Sequence, residues 1–256
     1  MSDERLIRSR VEGRVARITL ARPPLNILTI AMMEELSAAV ADVARRPDVA
    51  VLVLAAEGKA FSAGVAVEDH AGDRVRPMLA AFHGIFRQLY ALECPTVAVV
   101  QGAALGGGAE LATFCDVVVA SETATIGQPE IKVGVFPPIA ALHYPVRIGV
   151  TRTLQLLLSG RVLPATEAER IGLVDRVVPP GELEAAATEE IGTFLDRSAA
   201  IVRLAKRAVR LATADAFETR LGRLEALYLD ELMRTTDAAE GLRAFVEKRA
   251  PAWAHR

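Results

Sequence analysis

The apolar positions of this chain change their period repeatedly, and the changes predict strands alternating with helices. Residues 11–20 alternate well enough for one strand, until Arg22-Pro23-Pro24-Leu25-Asn26 breaks it, because proline supplies no ladder donor. Thr29 is placed to N-cap a helix running to about residue 45, with Met32, Met33, Leu36, Val40 and Val43 as its apolar stripe. Pro47 ends it. A second apolar strand over 49–55 leads into a small-residue loop, Glu57-Gly58-Lys59-Ala60-Phe61-Ser62-Ala63-Gly64-Val65. Helix resumes over 75–92, and Pro95 stops it before an apolar run over 97–100 that is too short for a globular helix. Another strand is expected over 116–120, then a loop rich in Gly and Pro over 125–138. Residues 142–147, 151–158 and 166–171 read as helical, 174–178 as a strand, and 182–248 as helical almost throughout.

That alternation implies parallel βα units in the first three quarters, an α/β class. The strands are short and widely spaced, which suits a coiled stack of ββα turns as well as a doubly wound sheet. A compositional shift near Asp196 divides the chain into a core over 1–195 and a helical segment over 196–256. The second segment carries Leu204, Leu211, Phe217, Leu221, Leu224 and Leu227 but is too thin to form a core alone. Its apolar face is expected to pack on the main domain and on neighbouring subunits.

Composition narrows the function. Hydrophobic residues make up 52% against 24% charged, enough for a sizeable core, and a net charge of −2 gives no field for nucleic acid or an anionic membrane. The first ten residues are charged and hold no apolar signal region, and no apolar run reaches the roughly 18 residues of a membrane span. A soluble cytoplasmic protein is expected. Cys94 and Cys115 have no metal spacing and read as buried reduced thiols. His70, His83, His143 and His255 are scattered, so no metal site is expected. Ser62 lies in Phe-Ser-Ala-Gly, which is not a nucleophile elbow. Arg203, Lys206, Arg207 and Arg210 line one helix face, expected to be solvated in preference to contacting phosphate.

The chemistry concentrates in Val97-Ala-Val-Val-Gln-Gly102-Ala-Ala-Leu-Gly106-Gly-Gly-Ala-Glu110-Leu-Ala-Thr-Phe-Cys115. The glycines let the backbone turn sharply and stand close to a ligand, and a helix is expected to start among them. Its first N–H groups, at the positive end of the dipole, suit an anion or a developing oxyanion. Glu110, one turn inside, suits a reacting group better than a fixed phosphate. The glycine spacing, with Glu122 about 20 residues on, also fits the nucleotide loop of an NAD-dependent short-chain dehydrogenase. Against that, the loop begins near residue 100, and none of Tyr90, Tyr144 and Tyr228 has a lysine four residues later.

Taken together, Lys59-Ala-Phe-Ser-Ala-Gly64, Leu105-Gly-Gly-Gly-Ala-Glu110 and Gly127-Gln-Pro-Glu130 resemble the crotonase superfamily, the enoyl-CoA hydratases and isomerases. The resemblance runs from Arg22-Pro-Pro-Leu-Asn26 to Gly241-Leu-Arg-Ala-Phe-Val-Glu-Lys-Arg249. It implies a spiral of ββα turns with a C-terminal helical segment that builds trimers or hexamers, and an acyl-CoA thioester as substrate. Coenzyme A enters with that substrate, and no separate cofactor is implied. By motif position the oxyanion hole is the N–H of Val65 with that of Gly107, and the catalytic acids are Glu110 and Glu130. The substrate- and CoA-binding positions are Leu25, Lys59, Ala63, Val65, Gly106 and Lys248, and Lys59, Lys206 and Lys248 are the phosphate candidates. Members that only isomerise usually keep the acid at the Glu130 position and lose the other.

Two departures stand out. The usual Ala-Gly-x-Asp is Ala63-Gly64-Val65-Ala66, and the usual Pro-Gly-x-Gly-Gly is Pro137-Pro138-Ile139-Ala140-Ala141. The second reshapes a loop near the acyl pocket. Val67-Glu68-Asp69-His70 and Val135-Phe-Pro-Pro-Ile-Ala140 look like the branch that hydrates cyclic dienoyl-CoA thioesters. The chemistry expected is addition of water to C2=C3: two N–H donors hold the thioester oxyanion while two carboxylates move protons around one water. A cyclic dienoyl-CoA hydratase, an isomerase, or a non-catalytic assembly or RNA-binding module on the same fold remain as other readings.

Overall fold

The computed structural model describes residues 5–213 and 217–254. The sequence predicts one strand over 11–20, but two are present: β1 (Ile7–Glu12) and β2 (Val15–Leu20) pair antiparallel, Glu12 opposite Val15. Gly13 closes that hairpin at φ +57°, a backbone state that glycine adopts without steric cost. The Thr29 hydroxyl caps α1 (Ile30–Ala44) by accepting the Met32 N–H at 3.4 Å, and the expected stripe is its buried face.

Three turns of chain then repeat one plan. β3 (Val51–Ala56) passes to the short β4 (Ala60–Ser62) and on to α2 (Val75–Ala91). β5 (Thr96–Val100) passes to β6 (Ala103–Leu105) and α3 (Gly107–Thr113). β7 (Val117–Ser121) passes to β8 (Thr125–Gly127), a 3-10 turn over Pro129–Val133, and α4 (Pro138–Ile148). Each turn gives its first strand to one sheet and its second to another. The six-stranded sheet runs β1-β2-β3-β5-β7-β10, where β10 is Arg176–Val178, and it has none of the strand-order reversal of a doubly wound fold. The four-stranded sheet runs β4-β6-β8-β9, with β9 at Val162–Pro164. This is the ββα spiral. β4, β6 and β8 are three residues each, too short to carry a visible period, so their segments read as loops.

The central strands β3, β5 and β7 are buried on both faces, which explains their continuous apolar runs, whereas β1 at the edge is largely exposed. Leu52, Leu54, Ala98 and Val100 join the main core, whereas Val51, Val53, Val97 and Val99 pack under Leu183, Ala187 and Ile191 of a later helix, residues 183–195. Cys94 and Cys115 are buried free thiols. No helix among the described residues is long and apolar enough to cross a membrane.

The C-terminal helices do not fold apart from the rest. Phe217, Leu221, Tyr228 and Leu242 belong to the same core as Ile18 and Leu36. Leu204 and Leu211 are exposed instead, at 57% and 67%. The basic face departs from expectation at Arg203, Lys206 and Arg210, while Arg207 is exposed as expected. Arg203 donates to the Pro47 and Val49 carbonyls, and Arg210 donates to those of Leu89, Tyr90 and Leu92, which end α2. Lys206 donates to the Cys94 carbonyl at 2.7 Å and pairs with Asp116. Free carbonyls at a helix end attract cations, so these side chains are spent on the fold, and Lys206 is not free to hold a phosphate.

Candidate active site

β4, β6 and β8 lie side by side and parallel, Ser62 opposite Ala104 and Leu105 opposite Gly127. The three sequence motifs follow the ends of these three strands, so the small sheet is what brings them together.

After β4, the loop is held from the side of the Pro-Pro-Leu-Asn segment. Leu25 C=O accepts the Ala63 N–H at 2.9 Å, Leu28 N–H donates to Gly64 C=O at 2.9 Å, and Leu28 C=O accepts the Ala66 N–H at 2.9 Å. Asn26, buried and at φ +48°, donates to the Glu57 and Ala60 carbonyls and accepts the Arg22 N–H. Along extended backbone, successive N–H groups point to opposite sides. With Gly64 and Ala66 turned toward Leu28, the Val65 N–H points away, toward β6. A Cβ on Gly64 would stand 3.6 Å from the Gly107 nitrogen, so the two backbones approach closely there. Gly107 opens α3, and an N–H at that position has no intrahelical acceptor.

Gly106 has φ +52°, and a Cβ there would meet Glu130 Oε1 at 2.6 Å. Glycine is needed on both counts. Glu110, 2% exposed, lies in the first turn of α3, and its Oε1 accepts the Ala140 N–H at 2.7 Å. Ala140 belongs to the first turn of α4, which begins at Pro138, so the sequence departure at 137–141 supplies the group that holds Glu110. Burial pushes the Glu110 carboxyl up to about 7, opposed by the N–H groups of Ala140 and Ile139. Burial and then the Glu110 charge raise Glu130 well above the ordinary carboxylate range. Two neighbouring acids that resist ionisation can exchange protons near neutrality.

Both acids line a cavity of about 370 Å³, together with Ala63, Val65, Gly106 and Gly107. Leu25, Lys59 and Lys248 do not line it: all three are exposed, and Leu25 reaches the site only through its carbonyl on Ala63. The rest of the wall is mainly apolar: Phe136 and Leu242 come from segments that carry the resemblance, whereas Met78, Leu79 and Phe82 of α2 have no signal in the sequence beyond their apolar spacing. His70 also lines it, its Nδ1–H donating to the Ala66 carbonyl at 3.0 Å, and burial lowers its pKa. Gln128, buried beside Glu130, accepts from the Tyr144 hydroxyl at 2.7 Å with its amide turned to donate to both Glu130 oxygens at 3.2 Å. Gln128 stood inside a motif already singled out, but Tyr144 carried no local signal. His83 pairs with Glu225 and His143 bonds the Thr113 carbonyl, outside the cavity; His255 is outside the described residues. Among the described residues no group of three or more His, Cys, Asp or Glu is placed to hold a metal ion.

The dinucleotide-loop reading fails on this geometry, because Gly106 faces a carboxylate where a pyrophosphate would need to sit. Comparison with known proteins agrees. The family model for enoyl-CoA hydratase/isomerase matches residues 10–256. The chain is 39% identical over 246 residues to a cyclohexa-1,5-dienecarbonyl-CoA hydratase of Thauera aromatica, covering 96% of this chain and 95% of that one. It is 40% identical over 251 residues to a probable enoyl-CoA hydratase of Mycobacterium bovis, covering 96% of each. The solved structure of an enoyl-CoA hydratase from Mycobacterium avium subsp. paratuberculosis superposes with a TM-score of 0.87 at 31% identity, over 97% of this chain and 98% of that one. With its ββα spiral and its acids at one cavity, the chain belongs to the enoyl-CoA hydratase/isomerase family.

Proposed function

We propose that this protein hydrates an enoyl-CoA thioester, adding water syn across C2=C3. One observation carries the reading: two buried acids with raised pKa share a cavity with the Val65 and Gly107 N–H groups. The thioester oxygen sits between those two donors, which stabilise the enolate charge as it develops; losing one such donor costs about 3–4 kcal/mol of barrier. Glu110 and Glu130 hold one water. The ionised member takes its proton as oxygen attacks C3, and the protonated member delivers a proton to C2. Gln128 orients Glu130, and the Ala140 N–H orients Glu110. The proposed steps move protons alone, and coenzyme A enters as part of the substrate. Lys59 and Lys248 are proposed at the coenzyme phosphates, with Lys248 reaching a neighbour's site. The exposed Leu204 and Leu211 face is proposed to be covered in a trimer or hexamer, with residues 196–256 as the assembling segment, and the protein is proposed to act in the cytoplasm.

The test compares hydration and double-bond migration of one thioester by Glu110→Gln and Glu130→Gln. Each should lose hydration by at least about a hundredfold while remaining folded. Loss in Glu130→Gln alone would make the enzyme an isomerase, and loss in neither would overturn the site.

A second reading concerns the acyl group. The prolines at the cavity wall, Pro137 and Pro138, lie in the segment that resembles the cyclic dienoyl branch and support a cyclic dienoyl-CoA thioester. A panel of linear and cyclic thioesters, followed by loss of conjugated absorbance, separates the two.

A further inference from the structure

Tyr228 is the unexplained polar group of the cavity. It is 1% exposed, it lines the cavity, and its hydroxyl is buried without a hydrogen-bond partner. Buried tyrosine hydroxyls nearly always find partners, and an unmade bond costs about 1–3 kcal/mol. Packing fixes its ring. Tyr228 sits in a π turn, Leu227–Glu231, and its ring packs edge-on against Phe136 at 5.3 Å. Such turns recur at functional sites. Burial and the nearby charges of Glu130 and Glu110 hold the phenol proton in place, so the group is a donor.

The ligand is the natural source of the missing acceptor. Phe136 packs on the Tyr228 ring, and Val133, Val135, Leu242 and Phe245 add apolar surface to the same cavity wall, whose charged members are the two acids and Lys132. A hydrocarbon acyl chain would fill that space and leave the hydroxyl unpaired in the complex. An oxygen on the chain would satisfy it. We propose that Tyr228 is a specificity-determining residue whose hydroxyl donates to an oxygen carried by the acyl group beyond the reacting double bond, selecting hydroxy- or oxo-enoyl-CoA thioesters over plain hydrocarbon ones. The inference rests on the hydratase reading of this cavity. Sites built around a polar group discriminate strongly against analogues that lack its partner.

The experiment measures kcat/KM for hex-2-enoyl-CoA against its 5-oxo, 5-hydroxy and 6-hydroxy counterparts, in the wild type and in Tyr228→Phe. In the wild type the best oxygenated thioester should exceed the hydrocarbon at least about tenfold, and in Tyr228→Phe that ratio should fall to within about twofold of one. A wild-type preference for the hydrocarbon over every oxygenated partner overturns the proposal. So does an equal loss on both classes in Tyr228→Phe, which would place the hydroxyl in chemistry common to all substrates. Should the variant fail to fold, calorimetry on the wild type with the matched saturated acyl-CoA pairs decides the matter without turnover. Tighter binding of an oxygenated member by about fivefold or more supports the proposal, and equal or weaker binding overturns it. Absence of hydration with every thioester, alongside that binding preference, would overturn the hydratase reading and leave the role of Tyr228 standing.

Discussion

The Ser62 hydroxyl donates to the Asn26 carbonyl at 2.8 Å and accepts the Gly64 N–H at 3.1 Å. One buried oxygen therefore ties the loop carrying Val65 to the segment that anchors it. Ser62→Ala leaves a buried carbonyl and a buried N–H without partners, and should cost about 1–3 kcal/mol of stability. Turnover should fall by about tenfold or more, because the Val65 donor loses its fixed position. Steady-state kinetics beside thermal melts check this, and full activity at reduced stability would mean that the loop is held without Ser62.

Gly106→Ala attacks the site from the other side. The φ of +52° strains any side chain there by about 1–3 kcal/mol, and the new methyl would collide with the Glu130 carboxylate. Hydration should drop by at least about a hundredfold, with the variant still folded by circular dichroism. Activity within a few-fold of the wild type would show that Glu130 can move away without consequence.

The raised Glu110 pKa makes a statement about stability. The folded protein holds the proton more tightly than the unfolded chain, so the associated stability is present below about 4.5 and is lost as pH rises toward about 7. Glu110→Gln removes that dependence. Its melting temperature relative to wild type should therefore rise between pH 5 and pH 8. A difference that stays flat or falls over that range would mean that Glu110 ionises like an ordinary surface acid.

Lys206→Met tests whether this side chain serves the fold or the coenzyme. The variant loses a charged hydrogen bond to the Cys94 carbonyl and the ion pair with Asp116, which keeps its bonds from Thr96, so stability should fall by about 2 kcal/mol. For a chain of this size that is a melting shift of about 4–8 °C. KM for an enoyl-CoA thioester should change less than about twofold. A tenfold rise in KM without a change in melting would return Lys206 to the coenzyme phosphates.

Local rules were enough for the long elements. The apolar stripe and Thr29 cap of α1, the buried runs of β3, β5 and β7, and the helix start among the glycines all follow from propensities within a few residues. The Gly13 hairpin and the three-residue strands escaped, because so short a segment shows no period and pairs only with chain far away. The same limit applies to the site. Glu110, Glu130, Val65 and Gly107 were legible as members of motifs, but their meeting at one cavity depends on β4, β6 and β8 lying side by side. Tyr228 and Tyr144 reach the site from helices where nothing in the neighbouring residues announces a partner, and the 137–141 departure does not by itself reveal that its Ala140 N–H meets Glu110. Even charge was read locally and decided globally. Arg203, Lys206 and Arg210 have the spacing of a solvated face, and only the packing of their helix sets them against carbonyls and a carboxylate that lie ninety or more residues earlier in the chain.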